Sequence, residues 1–390
     1  MSKVFAGKIS PETVIEDYQS LLRLAGAFNN WDKSKSIVIK INLSWTKFYP
    51  ACSTPPWQLE GVVKYLLVVG YSPEKIIPVE NRTVVTNVYE GAKNHGWLKI
   101  LDKYGIKMRF LPDEAYIEYR PKAKMLVLDR IFPNGIVLPK LIVGKPIIHL
   151  PTMKTHVFTV TTGAIKNYFG MLNVNRHFAH RHIHETVVDL LQIQKEIHPQ
   201  IFGIMDGAVI GSGPGPRAMD WIEAGYALMG SDLVALDATA AKMMGFNPLI
   251  IPYLKMAKEL GLGENDPLKI EIAGEDISQV NFHFKSSDTL ASRGQKFIYH
   301  RLPKWAEKLL LQTVIAPWSY FASKFYFDYF WFNFIGLRRL KRFLSSDWGH
   351  RFLQYTSNRV AAQSVMPDLS ASWRTDTEGM DSVSPHRGAG

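Results

Sequence analysis

Short apolar runs alternate with longer stretches of helical periodicity through the first part of the chain. Residues 36–44 are β-branched and apolar as far as Lys40, the composition of a strand covered on both faces. Residues 58–67 carry a helical pattern that stops at Gly70. A short strand is expected at 75–80 and a helical stretch at 87–104, with further strands at 108–111, 125–128 and 136–138. The run 141–150 approaches as a buried strand, and 201–205 forms another. An Ala- and Leu-rich helix at 233–244 ends at Gly245, followed by a helix at 249–260 and a strand at 268–272. This order predicts an α/β fold, a mostly parallel sheet with flanking helices followed by a helical, aromatic-rich C-terminal segment. The expected divisions are an α/β domain at 1–285, a helical aromatic and basic segment at 290–365, and a disordered tail at 366–390.

The polar exceptions in this pattern carry the chemistry. Leu150-Pro-Thr-Met-Lys154-Thr-His156 follows directly on the apolar run, and Gly163-Ala-Ile-Lys166-Asn167-Tyr-Phe-Gly170 comes soon after. Lys40 and Asn42 occupy alternate positions at the end of an earlier strand, so they share a face. The carboxyl edge of such a sheet is where ligands bind. Lys40, Asn42, Lys154, Lys166 and Asn167 there, with Arg176 further on, point to a small anionic ligand, a carboxylate or a phosphate. Two plainer readings stand beside this one. Each lysine could be solvated, or a buried lysine could be held by a carboxylate such as Glu80 or Asp206.

A second cluster is built of histidines. His177, His180 and His184 are spaced to share one face of a helix, which would bring them within reach of one divalent metal ion, while His182 points elsewhere. Arg176 and Arg181 in the same stretch repel a cation, so an oxyanion clamp and a purely structural role stay open. Among the acids, Asp206 ends an apolar strand and is the candidate for proton transfer, with His156 and His180. Asp232 suits the cap of the 233–244 helix, and Asp237 would be buried, orienting or pairing with Lys40 or Lys166. The glycine- and proline-rich loop 211–216 is neither a dinucleotide fingerprint nor a Walker A loop.

Taken in order, these motifs resemble those of the DUF362 family. They are Lys40-Ile-Asn42, Leu-Pro-x-x-Lys-Thr-His at 150–156, Lys166-Asn167-x-x-Gly170, Met205-Asp206-Gly207 with Gly213-Pro214, and Gly230-Ser-Asp232-x-Val-Ala-x-Asp237-Ala. The resemblance covers about 35–280 and implies no assigned function. Many members are similar to iron–sulfur proteins through an added cysteine-rich, ferredoxin-like module. This chain has one cysteine, Cys52, so no intrinsic iron–sulfur cluster is expected, since a cluster needs about four thiolates.

Composition narrows the function classes without choosing one. A formal charge of +11 favours anionic partners: a metabolite, a membrane surface or nucleic acid. The last is the weakest, because no nucleic-acid motif accompanies the charge. Aromatic residues crowd 318–334 and Arg338, Arg339, Lys341 and Arg342 follow, so an anionic membrane surface is a candidate partner through 306–345. A helical lid on the domain and a dimer interface are the alternatives there. The longest uncharged apolar run, 309–323, contains Pro317 and is too short to span a bilayer. The single cysteine and the absence of an apolar leader make a cytoplasmic protein the expectation, peripheral to the inner face of a membrane if those helices bind it. The expected function is an enzyme acting on a small anionic metabolite, its reaction class unspecified and a divalent metal its candidate cofactor. The alternative is a non-catalytic, membrane-peripheral binding or carrier protein.

Overall fold

The computed structural model describes residues 1–83, 85–172, 174–285 and 324–356. The run 309–323 and the tail expected at 366–390 lie outside the described residues. The strands are, in chain order, β1 (Ser2–Lys8), β2 (Ile37–Lys40), β3 (Ile76–Glu80), β4 (Arg109–Phe110), β5 (Tyr116–Tyr119) and β6 (Ile136–Pro139). They continue with β7 (Ile147–His149), β8 (Thr152–His156), β9 (Val160–Thr162), β10 (Ile201–Ser212), β11 (Asp220–Gly230) and β12 (Ile270–Gly274). One sheet runs β12-β1-β11-β10-β7-β2-β3-β4, with β8 beside the far half of β10 and β9 beside β8. Pairing is parallel except for β1 with β11, β10 with β11, and β8 with β9. The α/β fold with a mostly parallel sheet is therefore as expected.

Helices cover both faces. Val14–Leu24, Pro56–Val68 and Trp97–Lys103 pack on one, in a core that includes Ile37, Ile39, Tyr18, Trp57 and Ile204. Ile183–Ile197, Leu233–Met244 and Pro252–Glu259 pack on the other, around Val38, Ile147, Met205 and Leu228. Consecutive strand residues face opposite cores, as period-two geometry requires. Lys40 consequently points with Val38 towards the second core, and Asp206 towards the first.

Several expected elements changed form. β2 ends at Lys40 because the next residues leave the ladder: Asn42 N donates to Thr54 Oγ1 and Leu43 N to a Glu80 oxygen. The helix expected over 87–104 breaks into Val88–Asn94 and Trp97–Lys103 at Gly96, whose φ of 74° only glycine adopts readily. Residues 125–128 are not a strand. The backbone N–H groups of Leu126, Val127 and Leu128 all donate to the Asp189 carboxylate, which folds this stretch around a side chain instead of a ladder. β6 exists, but pairs only with β5 in a separate two-stranded sheet.

The described C-terminal segment lies on the first core as a lid. It comprises the π-helical Phe325–Gly336 and the helices Leu337–Leu344 and Asp347–Leu353. Trp331, Phe332, Phe343, Trp348 and Phe352 are buried with the main-domain residues Trp45, Phe48 and Trp57. Phe352 stacks on Phe48 at 3.5 Å, and Trp348 lies 4.9 Å from Trp57. Asp328 anchors the first turn, accepting from Trp45 Nε1.

Candidate functional site

Lys40 and Glu80 close adjacent strands, β2 and β3, and meet there. Lys40 Nζ lies 2.8 and 2.9 Å from the two Glu80 oxygens, and also donates to Ile41 O and, at 3.5 Å, to Asn167 Oδ1. Both residues are almost wholly buried. The internal ion pair, one of the plainer readings of Lys40, is thus what forms. Burial lowers the Lys40 pKa and Glu80 opposes the shift. Glu80 also accepts from Leu43 N and Asn81 N, so every carboxylate oxygen has a partner. Asn167 Nδ2 returns a bond to Lys40 O at 3.1 Å. Gly170 sits so close that a Cβ there would lie 3.2 Å from Lys40 Nζ.

Lys154 is different: fully buried, it has no carboxylate in contact. Its Nζ is surrounded by neutral oxygens, Asn42 Oδ1 at 2.6 Å, Ser44 Oγ at 3.2 Å, Thr152 Oγ1 at 2.9 Å and Cys52 O. Burial above all brings its pKa to about 7, with Lys166 and Lys40 pushing the same way. Asn42 was expected beside the ligand; it is the hydrogen-bond acceptor of Lys154. Thr152, Lys154 and His156 alternate along β8 and share a face, which makes Thr152 legible from the strand period alone.

Lys166 lies half-buried on the short helix Ala164–Asn167. Its Nζ is 5.8 Å from the Phe169 ring centroid and makes no hydrogen bond or ion pair with any described residue. Burial, then Arg176 and Lys40, bring its pKa to about 8. Arg176 donates to Gly170 O, Leu172 O and Arg82 O; burial lowers its pKa, and the Glu80 carboxylate opposes that shift. His156 accepts at Nδ1 from Phe158 N at 3.1 Å and Thr159 N at 3.4 Å. Burial, then Lys166, His180, Lys154 and His184, drive its pKa well below the usual value, so the ring is neutral and its proton sits on Nε2. Phe158 bridges His156 and His180, with ring centroids 5.9 Å from each. Asn42, Ser44, Phe158, Lys166, His180 and His184 are half-buried and rim the buried Lys40, Lys154 and His156.

The remaining candidates fall elsewhere. Asp206 faces the first core, where Tyr18 Oη at 2.7 Å and Trp57 Nε1 at 2.9 Å hold its carboxylate. Burial raises its pKa to about 6. Asp237 contacts neither Lys40 nor Lys166. It caps the Ala164–Asn167 helix through Ala164 N and Ile165 N, and Gly163 is required because a Cβ there would collide with that carboxylate. Burial raises the Asp237 pKa to about 7. Asp232 caps Leu233–Met244 as expected, accepting from Val234 N and Ala235 N. The histidine stretch is not one α-helix: Val174–His182 is a 3-10 helix and only His184 lies in Ile183–Ile197. The shared helical face expected of these residues depended on a continuous α-helical period. Among the described residues no group of three or more His, Cys, Asp or Glu is arranged to hold a metal ion, and the His177 side chain lies outside them. Two surface clefts, about 450 and 560 Å³, lie away from Lys40, Lys154 and Lys166, one lined by Glu60, Lys103 and Arg351, the other by Phe28, His198 and Phe202.

Residues 37–242, just over half of the chain, match the family described as Domain of unknown function (DUF362). A thylakoid-associated protein of Synechocystis sp. is 29% identical over 260 residues, covering 64% of this chain and 76% of that protein. No solved structure matches the chain.

Two outcomes follow from this geometry. Glu80→Gln leaves the Lys40 ammonium buried without its counter-charge and should cost about 3–5 kcal/mol in urea unfolding. Adding Lys40→Met to that variant should restore much of the loss; a double variant as unstable as the single would show that the pair is not the source. The second concerns pH. His95, His149 and His198 are held neutral by burial, at about 4, 3 and 4, and His156 behaves alike. Below about pH 6.5 the unfolded chain takes up protons that these four cannot, so stability falls as pH drops towards 4. Asp206, Asp237 and Asp189, raised by burial, oppose this from about pH 4 upward, but these three carboxyls stand against five lowered histidines once His184 is included. Chemical unfolding should therefore show a less stable protein at pH 5 than at pH 7, and equal or greater stability at pH 5 contradicts the assignment.

Proposed function

The chain belongs to the DUF362 family, and we propose that its lysine-rich strand ends are the binding site of an enzyme acting on a small carboxylate or phosphate. The observation that carries this reading is an excess of positive charge. Lys40, Lys154, Lys166 and Arg176 act on one another across the strand ends, and among the described residues Glu80 is the one carboxylate in salt-bridge contact with them. Clustered cations removed from water are costly unless an anion joins them. The His156 Nε2–H and the N–H groups that Arg176 has not committed add directional donors for oxygen. Of the two groups expected to move a proton besides His156, His180 stands beside the cluster while Asp206 faces Tyr18 and Trp57.

Isothermal titration with glycolate and with inorganic phosphate tests this reading. Lys166→Ala should weaken binding about 10- to 100-fold, the loss of one charge-assisted contact of roughly 1.5–3 kcal/mol. Binding should also weaken as pH rises from 7 to 9, because Lys154 and Lys166, with values near 7 and 8, lose positive charge over that range. The reading fails if neither anion binds at pH 7.

A second reading, attachment to a membrane surface, draws on the outer side of the C-terminal lid. Phe325, Phe330, Phe334 and Ile335 are 55%, 51%, 74% and 41% exposed, and Lys324, Arg338 and Lys341 are exposed beside them. Aromatic side chains next to basic ones suit the boundary of an anionic bilayer. Among the described residues no helix is long and apolar enough to cross a membrane, and the Synechocystis relative is described as thylakoid-associated. The wild-type chain should float with vesicles containing anionic lipid, and the triple variant Phe330→Ser, Phe334→Ser, Ile335→Ser should not. These side chains are exposed, so the variant keeps its core; equal flotation of both chains excludes this surface.

A further inference from the structure

Lys40, Lys154 and Lys166 share one electrostatic environment and differ in what their amines touch. Lys40 is saturated by Glu80, Ile41 O and Asn167. Lys154 lies beneath the surface inside a ring of four oxygens. Lys166 makes no hydrogen bond or ion pair with any described residue, lies 5.8 Å from the Phe169 ring centroid, is half-buried at the rim, and stands on a turn fixed by the Asp237 cap. An amine placed to donate to protein would not be left so. We propose that Lys166 forms the covalent bond of the reaction, an imine with a carbonyl group carried by a small carboxylate or phosphate substrate.

This rests on the anion-site reading and names its substrate class. The charged groups facing Lys166 are Arg176, Lys40 and Lys154, with the neutral His156 and with Glu80 bound to Lys40. Three cations against one acid both attract an anionic substrate and disfavour a fourth proton. With its value near 8, about a tenth of the Lys166 amine is neutral at pH 7, roughly two- to three-hundredfold more than for an ordinary lysine. The step balances without an oxidant. The nitrogen lone pair attacks the carbonyl carbon and a C–N bond forms while the C=O π pair moves to oxygen. The nitrogen then gives up its protons, the oxygen departs as water, and a C=N bond remains.

Glyoxylate is the probe, being the smallest carboxylate with an aldehyde, and glycolate is its counterpart without one. The full chain is incubated at pH 7 with glyoxylate and cyanoborohydride, which reduces an imine to a stable secondary amine, and labelled lysines are mapped by peptide mass spectrometry. Lys166 should be labelled at least about tenfold faster than exposed lysines such as Lys93. Glycolate should suppress that labelling, and Lys166→Arg, which keeps the charge, should abolish it while still binding glycolate. If glycolate binds but Lys166 is labelled no faster than Lys93, the covalent role is overturned and the anion site stands. Fast labelling that glycolate does not suppress overturns the anionic substrate class. If neither glycolate nor inorganic phosphate binds and Lys166 is not favoured, both readings fall together.

Discussion

The Lys40–Glu80 pair is the contact on which the rest of the strand-end architecture depends. Its net contribution to stability is small in principle, since taking both charges out of water costs about what their attraction returns. Its consequence is positional. The same carboxylate that holds Lys40 also accepts the backbone of Leu43 and Asn81, so one side chain ends two adjacent strands. Released from the ladder, the chain after β2 turns outward through Asn42 and Ser44, and its return passes Cys52 and Thr54. That loop supplies three of the four oxygens around Lys154. Thr54 ties it to both sides, donating to Leu150 O and accepting from Asn42 N.

The C-terminal lid bears on the same loop from above. Asp328 accepts from Trp45, next in sequence to Ser44, while Tyr49 lies 5.4 Å from Trp331. Arg217, which faces Phe327 at 4.0 Å, lies close enough to act on Cys52. A continuous run of contacts therefore joins the lid to the oxygens that hold Lys154. Whatever seats or unseats the lid acts on the loop, while Phe330 and Phe334 on the lid stay exposed.

How far the sequence foretold this depended on the range of the interactions. Strand interiors and the Leu233–Met244 helix, with Asp232 before it and Gly245 after it, were legible because apolar period and caps are local signals. Lys40 and Lys154 could be placed at one edge because each closes or closely follows an apolar run, whereas Lys166, behind Thr161, Thr162 and Gly163, carries no such signal. Partners were not. Asp237 meets Ala164 and Asp206 meets Tyr18, contacts separated by 73 and 188 residues that no spacing rule announces. Residues 125–128 look like a strand by composition, and only the distant Asp189 makes them a turn. β1 and β11 escaped notice because half-exposed, mixed sequences lack a strong period. The histidines near 180 misled because spacing implies a shared face only where the backbone keeps one helical period.

Burying several lysines together requires a way to limit their mutual repulsion, and this site uses three. Lys40 has a carboxylate, Lys154 has neutral oxygens and an equilibrium with its uncharged form, and Lys166 stays near solvent. The last two arrangements leave protons that are easily lost near neutral pH, so the cluster is poised between charge states rather than fixed in one. An arriving anion would shift both lysines towards the protonated form, coupling its binding to proton uptake. A purely structural pair would have no such coupling, because Lys40 and Glu80 already satisfy one another. The distinction between a lysine that holds the fold and a lysine that waits for a ligand therefore lies in its partners. Lys40 and Lys166, a few ångströms from the same glycine and phenylalanine turn, differ in this respect: Lys40 is paired with Glu80, and under the proposed anion site Lys166 is the amine left to the ligand.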